Sequence, residues 1–273
     1  MKSRYLSFPA LSIFLFFLPL TDLVAKPPST EQRVAILEAQ VAQLQALLLD
    51  VSRGTDPNTG YDTLRFSAMN VQIVNTLDYP DPPNGTGNLI IGFNETRGGT
   101  GCPVGLDCNR RGGSHNLVIG QYSNYSSYGG IVVGAFNEIS GELSSVSGGA
   151  YNIASGVESS VSGGQFNTAS GQGSSVSGGN VNIASSYLSS VSGGKDNKAS
   201  GEEASVSGGL KNEASGYVSS VSGGVRNTAS DQGSSVSGGQ RNTASNQGSS
   251  VSGGLDMTAA ANSCTVGDNY TDC

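Results

Sequence analysis

The chain has 273 residues, with 40 glycines, no tryptophan and only 13% charged residues. That composition does not describe an ordinary globular core; it fits either a flexible linker or a repeat architecture. The net charge is −7, and no basic patch accompanies it, so nucleic acid is not an expected partner.

The N-terminus has a basic start, Lys2 and Arg4, followed by an apolar run from Leu11 to Leu20 and a small residue at Ala25. Residues 1–25 read as a secretory signal peptide cut after Ala25. The run is short for a hydrocarbon core about 30 Å thick, so no transmembrane segment is expected after cleavage. The expected location is secreted or associated with the cell surface.

Residues 26–53 read as a spacer and a short coiled coil. The seam is Val34, Leu37, Val41, Leu44, Leu48 and Val51, with Ser29 or Thr30 available as the helix cap. Val at a with Leu at d favours two strands, while Leu47 at g widens the apolar face toward three. The helix alone leaves the number open.

Residues 54–87 read as connecting strands and loops. Asp56, Asn58, Gly60 and Asp62 offer alternating oxygens, but the distal Glu of a calcium loop is missing, and turn formation accounts for them. Residues 64–77 alternate like strands, with Phe66, Ala68, Val71, Ile73 and Leu77 as the apolar set.

Residues 88–260 carry the repeat. Three apolar segments, 88–92, 116–120 and 130–134, read as early coils interrupted by a Cys-bounded loop near 100–113. Then the period locks at fifteen. Val146, Val161, Val176, Val191, Val206, Val221, Val236 and Val251 each sit in Ser-Val-Ser-Gly-Gly. Asn152, Asn167, Asn182, Asn197, Asn212, Asn227 and Asn242 keep the same step, as does Ala from Ala154 to Ala259. A linker has no reason to hold three residue types in register, so the expected fold is an all-β parallel solenoid of fifteen-residue coils. Val and Ala are expected to stack inward, the serines flanking each Val to face out, Asn to form a ladder, and Gly-Gly to turn with positive φ. Eight such coils make a rod on the order of 40 Å long. One Val and one Ala per coil bury little, about 2–3 kcal/mol at most, so packing of identical rods is expected to add burial.

The four cysteines suit an exported chain. Local pairing, Cys102–Cys108 and Cys264–Cys273, is the simplest of three connectivities, which makes residues 261–273 a disulfide-closed cap. A metal site has little support, because His115 is the only histidine. Asn84, Asn94, Asn124 and Asn269 head Asn-x-Ser/Thr sequons. No nucleophile elbow, phosphate loop or dinucleotide fingerprint is present, and Glu202-Glu203 reads as a solvated corner. Neither an enzyme nor a cofactor is expected.

The positions free to vary follow each Gly-Gly: Ala150-Tyr151, Gln165-Phe166, Asn180-Val181, Lys195-Asp196, Leu210-Lys211, Val225-Arg226 and Gln240-Arg241. Tyr187 and Tyr217 occupy a second variable site. These residues either contact a ligand or pack between chains. A competing role is ice or crystal-surface binding by the Ser-x-Ser array; Thr, which such arrays favour, is sparse here, as at Thr168, Thr228 and Thr243.

The Ser-Val-Ser-Gly-Gly and Asn-x-Ala-Ser-Gly units resemble the head repeats of trimeric autotransporter adhesins, the YadA-like or Hep/Hag repeats, over about residues 88–260. The resemblance implies a left-handed parallel β-roll, a parallel homotrimer, and attachment to host, matrix or glycan surfaces. It does not extend to the family's C-terminal membrane barrel, and the heptads precede the repeats instead of following them. The expected function is that of a secreted, non-enzymatic, adhesin-like or extracellular structural protein.

Overall fold

A computed structural model describes residues 28–75, 83–97, 109–267 and 270–273. Residues 1–25, read above as a signal peptide, lie outside the described residues, as do Cys102, Cys108, Asn269, Thr76 and Leu77. The chain forms two compact units, divided after Val71.

Among the described residues the first unit holds one helix, α1 (Thr30–Leu47), and one hairpin, β1 (Val51–Thr55) with β2 (Asp62–Phe66). Ser29 caps α1: its hydroxyl accepts the Gln32 N–H, and Gln32 Oε1 accepts the Ser29 N–H, a reciprocal capping box. No residue of α1 is buried, and Val34, Leu37, Val41 and Leu44 stand about half exposed. The helix ends earlier than the heptads suggest. Leu48 is its C-cap, and Val51 lies in β1 opposite Phe66. Asp50, Val51, Ser52 and Gly54 are poor helix formers, and strand pairing takes them instead.

The strand expected over 64–77 also stops early, at Phe66. Ala68 adopts φ 55°, a left-handed conformation that breaks an extended path, and residues 67–75 belong to no strand. The oxygens considered for calcium serve the hairpin. Asp56 Oδ1 accepts the N–H groups of Asn58 and Thr59, and Asp62 pairs with Arg53 at 2.6 Å.

The second unit is a parallel β-solenoid of about ten coils, mostly of fifteen residues. Each regular coil contributes one two-residue strand to each of two sheets, such as Ser160–Val161 and Thr168–Ala169. The register is constant: Ser160 lies beside Ser145 and Ser175, and Ala169 beside Ala154 and Ala184. A third row of parallel bridges runs from Ala135 through Ala150 and Gln165 to Leu255. The earliest coils are one residue shorter: Leu117 pairs with Ile131, and Ile131 with Ser145.

Four rows of side chains fill the interior. The valine row runs from Val118 through Val251 to Val266, and the alanine row ends at Ala259; every member is at most 5% exposed. The asparagine row begins one coil earlier than the repeat suggests, at Asn137. The fourth row was not expected. It is the serine before each Ser-Val-Ser: Ser144, Ser159, Ser174 and Ser189, then Ser219, Ser234 and Ser249. Ala204 takes this slot in one coil and Cys264 in the last. Ser145 is half-buried and Ser147 exposed, so the outward row is real while its neighbour points inward. In the early coils large residues replace alanine, Tyr125 and Ile139, and the facing slot shrinks to Gly130. A Cβ on Gly130 would come within 2.6 Å of Ile139 Cδ1, so the core keeps its volume by exchanging bulk across the coil.

The asparagines satisfy what the valines cannot. Asn167 Oδ1 accepts the Asn182 N–H at 2.9 Å, while its Nδ2 donates to Gly163 O and Gly179 O, both at 3.0 Å. The pattern repeats from Asn137 to Asn242. Each amide thus ties its own coil to the next and meets the backbone groups of two successive turns.

The Gly-Gly turn divides its labour. The second glycine has positive φ, 84° at Gly194, and a Cβ there would fall 2.2 Å from Gly209 O. The first, Gly193, has open space around it and no positive φ. The positive φ expected of the Gly-Gly turn thus falls on its second glycine in every regular coil.

The roll closes at its C-terminal end by reversal. Thr265–Gly267 still pairs in parallel with the preceding coil, and Tyr270–Asp272 turns back antiparallel on it. Cys264, inside the serine row, is bonded to Cys273. Among the described residues no helix is long and apolar enough to cross a membrane.

Candidate interaction surfaces

Because the interior rows are so uniform, variety is confined to the outside. Each coil has two corners. The first follows Gly-Gly and carries pairs such as Ala150-Tyr151. The second joins the alanine strand to the next serine row and carries pairs such as Val157-Glu158, Tyr187-Leu188 and Tyr217-Val218. Backbone bonds hold both corners in line: the Phe166 N–H donates to Ala150 O, and the Glu158 N–H to Glu142 O.

Both corners use left-handed backbone on residues that are not glycine. Phe136, Tyr151, Phe166, Val181, Asp196, Lys211, Arg226, Arg241 and Asp256 have φ between 56° and 58° at the first corner. Leu143, Glu158, Leu188, Glu203, Val218 and Ser263 have φ between 50° and 57° at the second. Such conformations cost about 1–2 kcal/mol each for an L-residue. Contacts along the row offset that cost.

The clearest such contact is aromatic. Tyr122, Phe136, Tyr151 and Phe166 stack in one line, with centroids 4.7, 4.8 and 4.9 Å apart and ring planes within 17° of parallel. The rings spend their faces on one another and show their edges to solvent. The sequence quotes Tyr151 and Phe166 among the variable positions, but only the in-register turn makes them neighbours.

Further along, the first corner is charged. Arg241 clasps Asp256 with two bonds of 2.5 Å, which raises the Arg241 pKa and holds the Asp256 carboxyl below its usual value. Lys198 pairs with Glu213 across one rung at 3.0 Å. Lys195, Lys211 and Arg226 complete the cations of this region.

The early coils carry a polar clasp that sequence reading missed. Arg97 donates to the carbonyls of Tyr122, Phe136 and Asn137 at 2.7–2.8 Å and lies 3.6 Å from Glu138. Burial lowers its pKa, with Glu138 pulling the other way. Arg110 reaches the same carboxylate at 3.5 Å. No spacing in the sequence signals this group, because Arg97 and Glu138 are joined only by the fold.

The sequons divide as well. Asn124 is buried, and its amide donates to Glu138; Asn84 is exposed in a turn where its Oδ1 accepts from Thr86. His115 accepts the Asn75 N–H through Nε2. Glu202 and Glu203 stand exposed at the second corner. Among the described residues no group of three or more His, Cys, Asp or Glu side chains is placed to hold a metal ion. A comparison with protein-family models finds no match, and a comparison with curated proteins finds none either.

Proposed function

We propose that this chain is an exported, non-enzymatic, adhesin-like rod of the trimeric-autotransporter-head type: a left-handed parallel roll in a parallel homotrimer, presenting its outer surface to host, matrix or glycan surfaces. The observation that carries this reading is the separation of a uniform interior from variable corners. A scaffold of Val, Ala, Asn and Ser rows holds different side chains at the same two corners in each coil. The unpartnered apolar stripe of α1 supports self-association through a coiled coil. The test is a screen of the mature chain against glycans, matrix proteins and cell surfaces. Saturable binding that competes with soluble ligand is expected. A folded chain that binds none of them would overturn the reading.

The serine rows favour a second reading. The outward serines repeat in register, Ser160 beside Ser145 and Ser175, and form a regular hydroxyl array suited to a crystalline surface such as ice. Thermal hysteresis by the purified chain is its test, and a lack of hysteresis would remove it.

A further inference from the structure

Between Ile131 and Leu255, thirteen large apolar side chains are exposed. Only Ile131 and Ile153 lie on the flat faces. Tyr151, Phe166, Val181, Leu210 and Leu255 are at the first corner; Leu143, Val157, Tyr187, Leu188, Tyr217 and Val218 are at the second. Apolar exposure gathered on two opposite edges, with mostly polar faces between them, is the pattern of edges that are covered.

Charge divides along the same edges. Every Lys and Arg from 144 to 260 lies at the first corner or on the strand leaving it: Lys195, Lys198, Lys211, Arg226 and Arg241. The carboxylates on that side each have a cation at hand. Glu213 pairs with Lys198, Asp256 with Arg241, and Asp196 adjoins Lys195 in the chain. The other four carboxylates of this stretch, Glu158, Glu202, Glu203 and Asp231, are all at or beside the second corner.

We propose that the first corner of one copy docks along the second corner of a parallel, in-register copy, and that repetition of this head-to-tail contact closes the ring of chains. A solenoid climbs about 4.8 Å per coil, so each first-corner rung lies midway between two second-corner rungs. At matched height, Lys195 and Lys211 bracket Glu202-Glu203, Lys211 and Arg226 bracket Tyr217, and Arg226 and Arg241 bracket Asp231. In the early coils Tyr151 and Phe166 meet Val157. Cation–carboxylate, cation–ring and apolar contacts thus fall in sequence along one line. A contact between like corners would set cations against cations. This deepens the proposed self-association by naming its two faces; the number of chains rests on that earlier reading.

The test uses the full mature chain with engineered thiols at Gln165→Cys on the first corner, Gln172→Cys on the second, or both, joined by a short bismaleimide. The two positions of one chain lie across the core from each other. Covalent trimers are expected from the double variant and only uncoupled chains from either single one. Dimers from a single variant would mean like corners meet and would overturn the proposal. Solution mass is measured on the same samples. A trimer that does not couple would overturn this interface while leaving assembly standing, and a monomer would overturn both. Circular dichroism confirms that each variant is folded. As a second readout, Glu202→Lys with Glu203→Lys should weaken association at least tenfold, and Lys195→Glu with Lys211→Glu in the same chain should restore it. Failure of the exchange to restore association in folded protein would overturn the charge register.

Discussion

Asn197 Oδ1 takes the backbone N–H of Asn212 at 3.0 Å, one full turn of the solenoid further along. The same side chain gives its amide hydrogens to Gly193 O at 2.8 Å and Gly209 O at 3.0 Å. Asn197→Ala removes all three bonds inside a buried slot. The stranded Asn212 N–H is the costly group, and the loss should be about 2–4 kcal/mol, read from denaturant unfolding. An unchanged midpoint would show that the row does not hold the coils.

Asn197→Asp separates geometry from charge. Ionised, the new carboxylate still accepts the Asn212 N–H, but it faces two carbonyl oxygens that now lack a donor. Folding therefore favours its protonated form and raises its pKa above the unfolded value near 3.9. With a raised folded pKa, stability is fully present below about pH 4 and is lost as pH rises through the folded pKa. Relative to the parent chain, the variant should be more stable at pH 4 than at pH 7. The opposite trend would contradict the bonding assigned to this amide.

The two glycines of one turn should behave differently. Gly194→Ala sets a Cβ 2.2 Å from Gly209 O at a positive φ, and the backbone must move to admit it. Gly193→Ala meets nothing within 4 Å. The first substitution should lower the unfolding midpoint strongly, and the second by less than about 1 kcal/mol. Equal effects would mean that the close approach of the coils is not what selects glycine here.

Much of this scaffold is legible because its period is exact in sequence. Val191 and Ala199 recur every fifteen residues, and only a stacked coil needs that. Ser189 was missed for a chemical reason: in Ser-Ser-Val-Ser a buried serine and an exposed one look the same. Its hydroxyl returns to Ser186 O at 2.8 Å, a local bond that makes burial tolerable. The corners were missed for another reason. Val181 and Val218 carry left-handed backbone that nothing in a β-branched residue announces, because register with neighbouring coils imposes it. The Arg97 clasp was out of reach altogether, since it joins residues 41 positions apart without a repeat.

Val191 is 1% exposed, with Val176 and Val206 beside it on the adjoining rungs. Val191→Asp buries a carboxylate among apolar neighbours without a cation, which should abolish cooperative unfolding or secretion. Ser190, half-buried, and Ser192, exposed, flank it. Ser192→Ala should stay within about 0.5 kcal/mol of the parent, the range of ordinary surface changes. Equal tolerance at 191 and 192 would place the valine row outside the core.

Cys264 occupies the slot that serine fills in other coils, and it is 1% exposed. A serine there fits the row by shape and meets the same local turn, since the Cys264 N–H already bonds to Ala261 O. Cys264→Ser with Cys273→Ser should therefore leave the interior coils packed while releasing the antiparallel strand Tyr270–Asp272. That strand is held by three pairings with Thr265–Gly267 and by the bond to Cys273. The bridge closes a short loop, so its entropic contribution is about 2–3 kcal/mol and acts at this end alone. Hydrogen exchange should speed up at Val266 and Thr271 and stay unchanged at Val191 and Val206. Uniform acceleration along the solenoid would show instead that the closed end sets the stability of the whole stack, and that fraying from Gly267 runs through every coil.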